Sequence, residues 1–265
     1  MKTLTWVLVL CAAAPAFAWD AAGHRVIAAI AYGRLNPQAR ARADALLQQA
    51  PAIQSRGRAA FLAASVWPDE IRADAGDGDT RPWHYINLPF SPDGARLLPP
   101  QRPNALTELQ RILNRRSMSA NDLIWLIHLV GDVHQPLHCA DRFLKSRPAG
   151  DEGGNKVYIS IAGSRARTLH AFWDDLADSL TAQTIVRQYR REHGANPRLS
   201  TDPRTWVQES FALAQHEVYT FGPKTGSRRH PVKLPQSYAS NARRVARSQL
   251  AIAGFRLAAV LNGKL

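Results

Sequence analysis

The sequence predicts an all-α fold, a single mainly helical domain with one short β-ribbon. Three observations carry this expectation. Apolar residues recur at helical spacing through most of the chain. Prolines and capping residues fall where those stretches should begin or stop. Only one segment, 156–161, alternates polar and apolar residues as a strand does. The chain has 265 residues, enough for one large core, and its 45% hydrophobic and 21% charged residues exclude a disordered chain.

The first 18 residues stand apart from that fold. Lys2 gives a basic start, and the apolar run from Leu4 to Ala14 is too short to span a bilayer. Ala16-Phe17-Ala18 then forms a small-x-small cleavage signal. Residues 1–18 therefore read as a signal peptide, and 19–265 as the working domain, periplasmic or secreted. A helix over 22–35 stops before Asn36-Pro37, and a second covers 37–49 with Pro37 in its first turn. A third covers 59–72. The Asp, Gly and Pro residues of 76–103 mark a loop. Helices follow at 105–116 and 121–135, the latter capped by Ser119 or Asn121 and ended by Pro136. A Gly-rich loop at 147–155 leads into the strand-like 156–161. Helices at 169–191, 203–221 and 236–261 complete the chain.

Charge and cysteine content narrow the function. Lys and Arg number 34 against 21 Asp and Glu, a formal charge of +13. That balance favours polyanionic partners such as nucleic acid or anionic lipid. There are two cysteines, and processing would remove Cys11. Cys139 alone remains, which excludes a disulfide scaffold.

The densest chemistry lies in W-L-I-H-L-V-G-D-V-H-Q-P-L-H, residues 125–138. His128 and Asp132 are four apart and share one helix face. His138 lies past Pro136, where the chain can turn back toward that face. His134, roughly 240° round the helix from His128, points elsewhere. His134, His193, His216 and His230 are read as ordinary core or surface residues. His170 and Asp174, in L-H-A-F-W-D, repeat the four-residue spacing. Imidazole and carboxylate donors suit zinc, whereas calcium calls for more oxygens. Asp69 and Arg72 sit three apart in W-P-D-E-I-R, where a structural ion pair competes with a catalytic role. His84 lies inside the aromatic W-H-Y-I-N, where ring packing competes with ligation. Trp19 would begin the processed chain, with His24 five residues on. A free α-amino group has a pKa of about 7.7–8 and can bind a metal together with its own carbonyl.

Together these segments resemble the secreted zinc-dependent nucleases of the S1/P1 type, relatives of the zinc phospholipases C. The matching pieces are W-D-x-x-G-H, W-P-D-x-I-R, W-H-Y-I-N, H-L-V-G-D-V-H-Q-P-L-H, G-G-N-x-V and L-H-x-x-W-D, from Trp19 to Asp174. The resemblance implies three zinc ions. Asp69, His84, His128 and Asp132 would hold the first, and His138, His170 and Asp174 the second. The Trp19 amine and carbonyl, His24 and the far oxygen of Asp132 would hold the third. It further implies a hydroxide shared by the two ions that Asp132 bridges, in-line attack on phosphorus, and 5′-phosphorylated products. In that scheme Asp69 orients the water and Arg72 neutralises charge on the phosphoryl oxygens. Tyr85 and Asn87 match the nucleobase pocket, which implies single-stranded DNA and RNA as substrates, with 3′-nucleotidase activity beside it. The chain departs from fungal members in lacking disulfides. Its oligomeric state is expected to be monomeric.

Two other readings stay open from sequence. A zinc phospholipase C would share the N-terminal Trp and the H-x-x-x-D pair, but usually carries Glu where this chain has Asp174, and lacks H-Y-I-N. A non-enzymatic basic protein with structural zinc would need closed four-ligand sites, and His138, His170 and Asp174 supply three.

Overall fold

The computed structural model describes residues 19–71, 79–177, 181–194 and 199–265. The expected signal peptide, 1–18, and Arg72 both lie outside the described residues. The described chain is mainly helical and forms one domain, with its strands confined to two short ribbons.

The core is built round α6 (Ala120–Asp132), in which every residue from Asp122 to Asp132 is buried. Ser119 caps it: its hydroxyl accepts from Asp122 N, and Asp122 reaches back to the Ser119 N–H, both at 3.1 Å. A helix apolar on all sides must be enclosed on all sides. The enclosure comes from α1 (Ala21–Tyr32), α2 (Pro37–Leu47), α3 (Gly57–Ala64), α5 (Ala105–Leu113) and α10 (Gln236–Lys264). Gly254 lets α10 close on α1, since a Cβ there would stand 2.6 Å from Ile30 Cβ.

Three expected helices are broken, each for a local reason. The 59–72 stretch divides into α3 and α4 (Trp67–Glu70). Pro68 has no N–H to give the Ala64 carbonyl, and Asp69 N bonds Val66 O at 3.1 Å. The 169–191 stretch divides into α7 (Leu169–Asp174), a 3-10 turn to Ala177, and α8 (Ala182–His193). Thr181 starts α8 by accepting from Thr184 N at 3.2 Å. The 203–221 stretch is α9 (Pro203–Leu213) followed by a π-turn over Ala214–Val218.

The ribbons also differ from expectation. β3 (Ile159–Ser160) falls within 156–161, but its partner is β4 (Val232–Lys233), in parallel. A second parallel pair joins β1 (Leu88–Phe90), inside the expected 76–103 loop, to β2 (Ala140–Arg142), where no element is expected. Leu88 stands opposite Ala140 and Phe90 opposite Arg142. This pair ties the segment after His84 to the segment after His138.

Candidate metal centre

α6 delivers His128 and Asp132 from one face, and α7 delivers His170 and Asp174 from another. The turn after Pro136 brings His138 between them, and His138 Nδ1 donates to the His84 carbonyl at 2.5 Å. Backbone Ile86 N in turn donates to His138 O at 2.7 Å. The Trp83–Asn87 strip is thereby laid across both sets of ligands.

Three groups of side chains result: His24, His128 and Asp132; Asp69, His84 and His128; and His138, His170 and Asp174. Within each, one ligand atom per residue lies within 4.8 Å of the others. Asp132 stands between the first two. Its Oδ1 lies 3.3 Å from His24 Nε2, while Oδ2 lies 3.1 Å from His84 Nδ1 and 3.2 Å from His128 Nε2. Asp69 Oδ1 faces His84 Nδ1 at 3.6 Å and His128 Nε2 at 3.7 Å. In the third group, His170 Nε2 is 3.2 Å from His138 Nε2 and 3.6 Å from Asp174 Oδ2.

The proton inventory of these groups is the decisive feature. A carbonyl only accepts, so a ring nitrogen facing one carries hydrogen. His128, His138 and His170 each donate Nδ1–H to a carbonyl, of Ser65 at 2.8 Å, His84 at 2.5 Å and Gly153 at 2.7 Å. In the neutral rings every Nε2 is therefore a bare lone pair. The Nε2 lone pairs of His138 and His170 face each other at 3.2 Å. Between neutral rings that arrangement repels unless a metal ion or a proton lies between them. His24 Nε2 and Asp132 Oδ1 are buried without a hydrogen-bond partner among the described residues. The donor set and its burial fit metal ions, with ligands oriented by outer hydrogen bonds.

The titrations follow the same logic. Burial lowers the His128 pKa, but the Asp132 and Asp69 carboxylates outweigh it and raise it to about 9. Without a metal, a proton takes the cation's place. Burial would raise Asp132, yet its histidine neighbours, His128 foremost, hold it well below the usual carboxylate range. Burial lifts Asp174 well above that range; Gln135 opposes, donating Nε2–H to Oδ1 at 2.7 Å, and the charges of Asp175, Asp69 and Asp20 add to the rise.

Trp19 is fully buried, packed against Gly23 and Ala177. Asp20 caps α1 through Gly23 N at 2.9 Å, and its own N–H donates to Asp174 O at 3.2 Å. The start of the described chain is thus fixed beside His24 and α7. Tyr85 and Asn87 are half-buried on the strip that crosses His138. Asn87 has φ of +54°, a left-handed conformation that Asn tolerates better than most residues. His134 is a core residue, donating to Val130 O at 2.6 Å and accepting from Arg256 at 3.0 Å. Arg142 is buried and binds Asp151 at 3.2 Å.

Sequence reasoning missed the residues that orient the ligands. Ser65 and Gly153 act through carbonyls, which no residue type announces. Gln135 was visible only as a polar residue beside Pro136. Gly131 also escaped notice: a Cβ there would stand 2.7 Å from His24 Nδ1.

Comparison with known proteins agrees with this geometry. The family model described as S1/P1 Nuclease matches residues 19–265. Endonuclease 5 of Arabidopsis thaliana is 26% identical over 291 residues, covering 93% of this chain and 90% of that protein. Nuclease P1 of Penicillium citrinum is 25% identical over 169 residues, covering 59% of this chain and 57% of its own. Nuclease S1 of Aspergillus oryzae is 25% identical over 171 residues, 60% of this chain and 54% of its own. Among the described residues no helix is long and apolar enough to cross a membrane.

Proposed function

The chain belongs to the S1/P1 nuclease family, and on that premise we propose a three-zinc endonuclease that cleaves single-stranded DNA and RNA to 5′-phosphorylated products, with 3′-nucleotidase activity beside it. Phosphodiester hydrolysis of nucleic acid is the family's chemistry. The finer reading rests on one observation above all. His138 and His170 turn bare Nε2 lone pairs on each other at 3.2 Å, and each is held there by a carbonyl. A cation between the rings, a metal ion or a single proton, makes that geometry favourable, and the Asp174 carboxylate beside them completes a donor set suited to a metal. Zinc suits the imidazole and carboxylate donors, and bound zinc supplies Lewis acidity and a water activated near neutral pH.

The chain's own residues do the rest. Asp132 offers one oxygen to the His24 side and the other to the His84–His128 side. One carboxylate can therefore serve two ions. His138, His170 and Asp174 form a three-donor set that leaves room for a substrate oxygen. Asp69 lies at the rim of its group, and we assign it to orienting the attacking water with its free oxygen. Arg72, three residues on in the sequence, is assigned to the phosphoryl oxygens. Tyr85 offers an aromatic face and Asn87 an amide beside the ligands. Stacking on Tyr85 requires an unpaired base, which accounts for single-strand preference. We assign the third ion to His24, Asp132 and the processed N-terminus of Trp19, after removal of a signal peptide ending at Ala18. The enzyme then acts as a monomer in the periplasm or outside the cell.

Metal analysis with product analysis tests this. The processed protein should hold three zinc ions per chain and release 5′-phosphorylated fragments from single strands faster than from duplex. Fragments with 3′-phosphate ends, or equal rates on both forms, would overturn the reading.

A further inference from the structure

Away from the metal groups, α8 and α10 present an array of arginines with little acidic compensation. α10 has no acidic residue in its 29 positions and carries Arg243, Arg244, Arg247 and Arg256. Arg256 is buried and paired with Glu209 at 2.7 Å, and Arg244 is engaged by Asn241 at 2.8 Å. Arg243 and Arg247 remain, four apart and on one face. α8 lies alongside: Arg247 donates to Gln188 Oε1 at 3.4 Å, and Tyr189 meets Phe255 edge-on at 5.4 Å. Its Arg187, Arg190 and Arg191 are exposed. Arg34, at the end of α1, sits 4.2 Å over the same Phe255. The acid of α8, Glu192, is engaged by Gln188 at 3.0 Å.

A structural explanation covers part of this array. Arg190 and Arg191 lie in the last turn of α8, where cations complement the helix dipole, although Arg191 also shares the face of Arg187 four residues before it. Arg187, Arg243 and Arg247 have no such role. Burial lowers the Arg34 pKa, and the charge of Arg190 adds to that, so the two repel. Glu209 and Glu217 answer Arg256 and Arg244, and like charges kept together with so few acids fit a polyanion better than solvent alone.

The helix that carries the array, α10, also reaches the ligand groups through the core. Tyr238, in the first turn of α10, accepts from Trp173 Nε1 at 3.0 Å, and Trp173 precedes Asp174. At about 1.5 Å per residue, Arg243 stands roughly 8 Å along α10 from Tyr238 and Arg247 about 14 Å. Phe255, beneath Arg34, stands about 26 Å along.

We infer that the α8–α10 face binds the phosphate backbone of a nucleic-acid strand beyond the position that is cut. This rests on the nuclease reading and adds a second contact region to it. Arginine forks suit phosphate oxygens, and contacts of this kind hold a strand without reading its sequence.

The test is the fourfold variant R187Q/R191Q/R243Q/R247Q, none of which touches the ligand groups. Substrates are a 30-nucleotide single strand and a dinucleotide with one phosphodiester. On the 30-mer, KM should rise tenfold or more with kcat unchanged. The salt dependence of log KM should fall by about 3, from four lost contacts at about 0.7 each. Dinucleotide kcat/KM should stay within twofold. Equal losses on both substrates, or an unchanged KM on the 30-mer, would overturn the inference. The double variants R187Q/R191Q and R243Q/R247Q guard against misfolding, and each should show an intermediate effect. A wild-type protein inactive on both substrates would instead sink the nuclease reading. In that case anisotropy with a phosphorothioate 30-mer still tests the face, with a tenfold loss of affinity expected. Loss of binding to phosphatidylglycerol vesicles, with the 30-mer bound as before, would assign the face to lipid and overturn the proposal.

Discussion

Gly131→Ala adds a single methyl group one residue before Asp132, and the structure sets its cost. The new Cβ would stand 2.7 Å from His24 Nδ1, 2.8 Å from His24 Cε1 and 3.4 Å from Ile27 Cδ1. Ordinary contact begins near 3.4 Å, so the ring must retreat by about 0.7 Å. α1 cannot carry the ring away as a body. Its start is wedged at Gly23, where a Cβ would meet Trp19 Cβ at 2.6 Å, and its far end is locked against Gly254. Nor can the ring slide freely, because it stacks on His128 with centroids 4.2 Å apart and planes within 8°. It must tilt, and Nε2 then leaves its place opposite Asp132 Oδ1. Metal bonds to imidazole are about 2.0–2.1 Å and tolerate about 0.2 Å. The displacement is some three times that tolerance.

Elemental analysis should therefore find about one metal ion per chain fewer in Gly131→Ala than in the wild type, with activity on single-stranded DNA reduced at least a hundredfold. His24→Ala should lose the same ion. Overpacking would cost the fold about 1–3 kcal/mol, offset by up to about 1 kcal/mol of helix propensity. The protein should thus remain folded by circular dichroism with a modestly lower Tm. Full metal content with wild-type turnover would refute the assignment of His24 as a ligand.

Other expectations follow from the same geometry. Asp132→Asn should abolish turnover and weaken binding of two ions, whereas His138→Ala should empty one; retention of all ions by the Asn variant, measured by elemental analysis, would exclude a bridging role. Arg72→Ala should lower kcat and leave metal content unchanged, and a fall in metal content would mark it as support for Asp69. Tyr85→Ala should weaken single-strand binding by about 1–3 kcal/mol and spare a small phosphodiester without a base, as steady-state kinetics on both will show. Asp141 tests the fold's pH dependence. Burial first, then the Asp151 charge, raise its carboxyl to about 6 from 3.8. The stability held by its protonated form is full below 3.8 and lost as pH rises through 6. Asp141→Asn keeps an oxygen for the Asp151 and Glu152 N–H groups and removes the titration. The stability of wild type relative to this variant should fall by up to about 3 kcal/mol from pH 3.5 to 7, and parallel urea-denaturation profiles would refute it.

The sequence disclosed the centre to the extent that its parts lie within one helical turn. His128 with Asp132 and His170 with Asp174 are visible because four residues return to the same face, and they stand 3.2 and 3.6 Å apart. His24, Asp69 and His84 come from separate segments, and no periodicity relates them to α6; the residues alone leave their roles open, and the motif resemblance assigns them as ligands. Helix breaks were illegible for a related reason. α3 and α4 both turn apolar residues to one core, so the spacing of 59–72 runs on across the interruption. Yet the interruptions are where the chemistry is prepared. In an unbroken helix the Ser65 carbonyl would accept from Asp69 N. Because Pro68 shifts that N–H to Val66 O, the Ser65 carbonyl is left for His128 Nδ1. The Gly153 carbonyl reaches His170 from a left-handed turn with φ of +60°, and a Cβ there would strike Leu137 O. The His84 carbonyl reaches His138 from the end of a 3-10 turn. Each carbonyl that fixes a histidine tautomer lies where regular structure stops, because within a regular helix it would be taken by the backbone. The departures from helical pattern are thus what leave three Nε2 atoms bare and directed at common points.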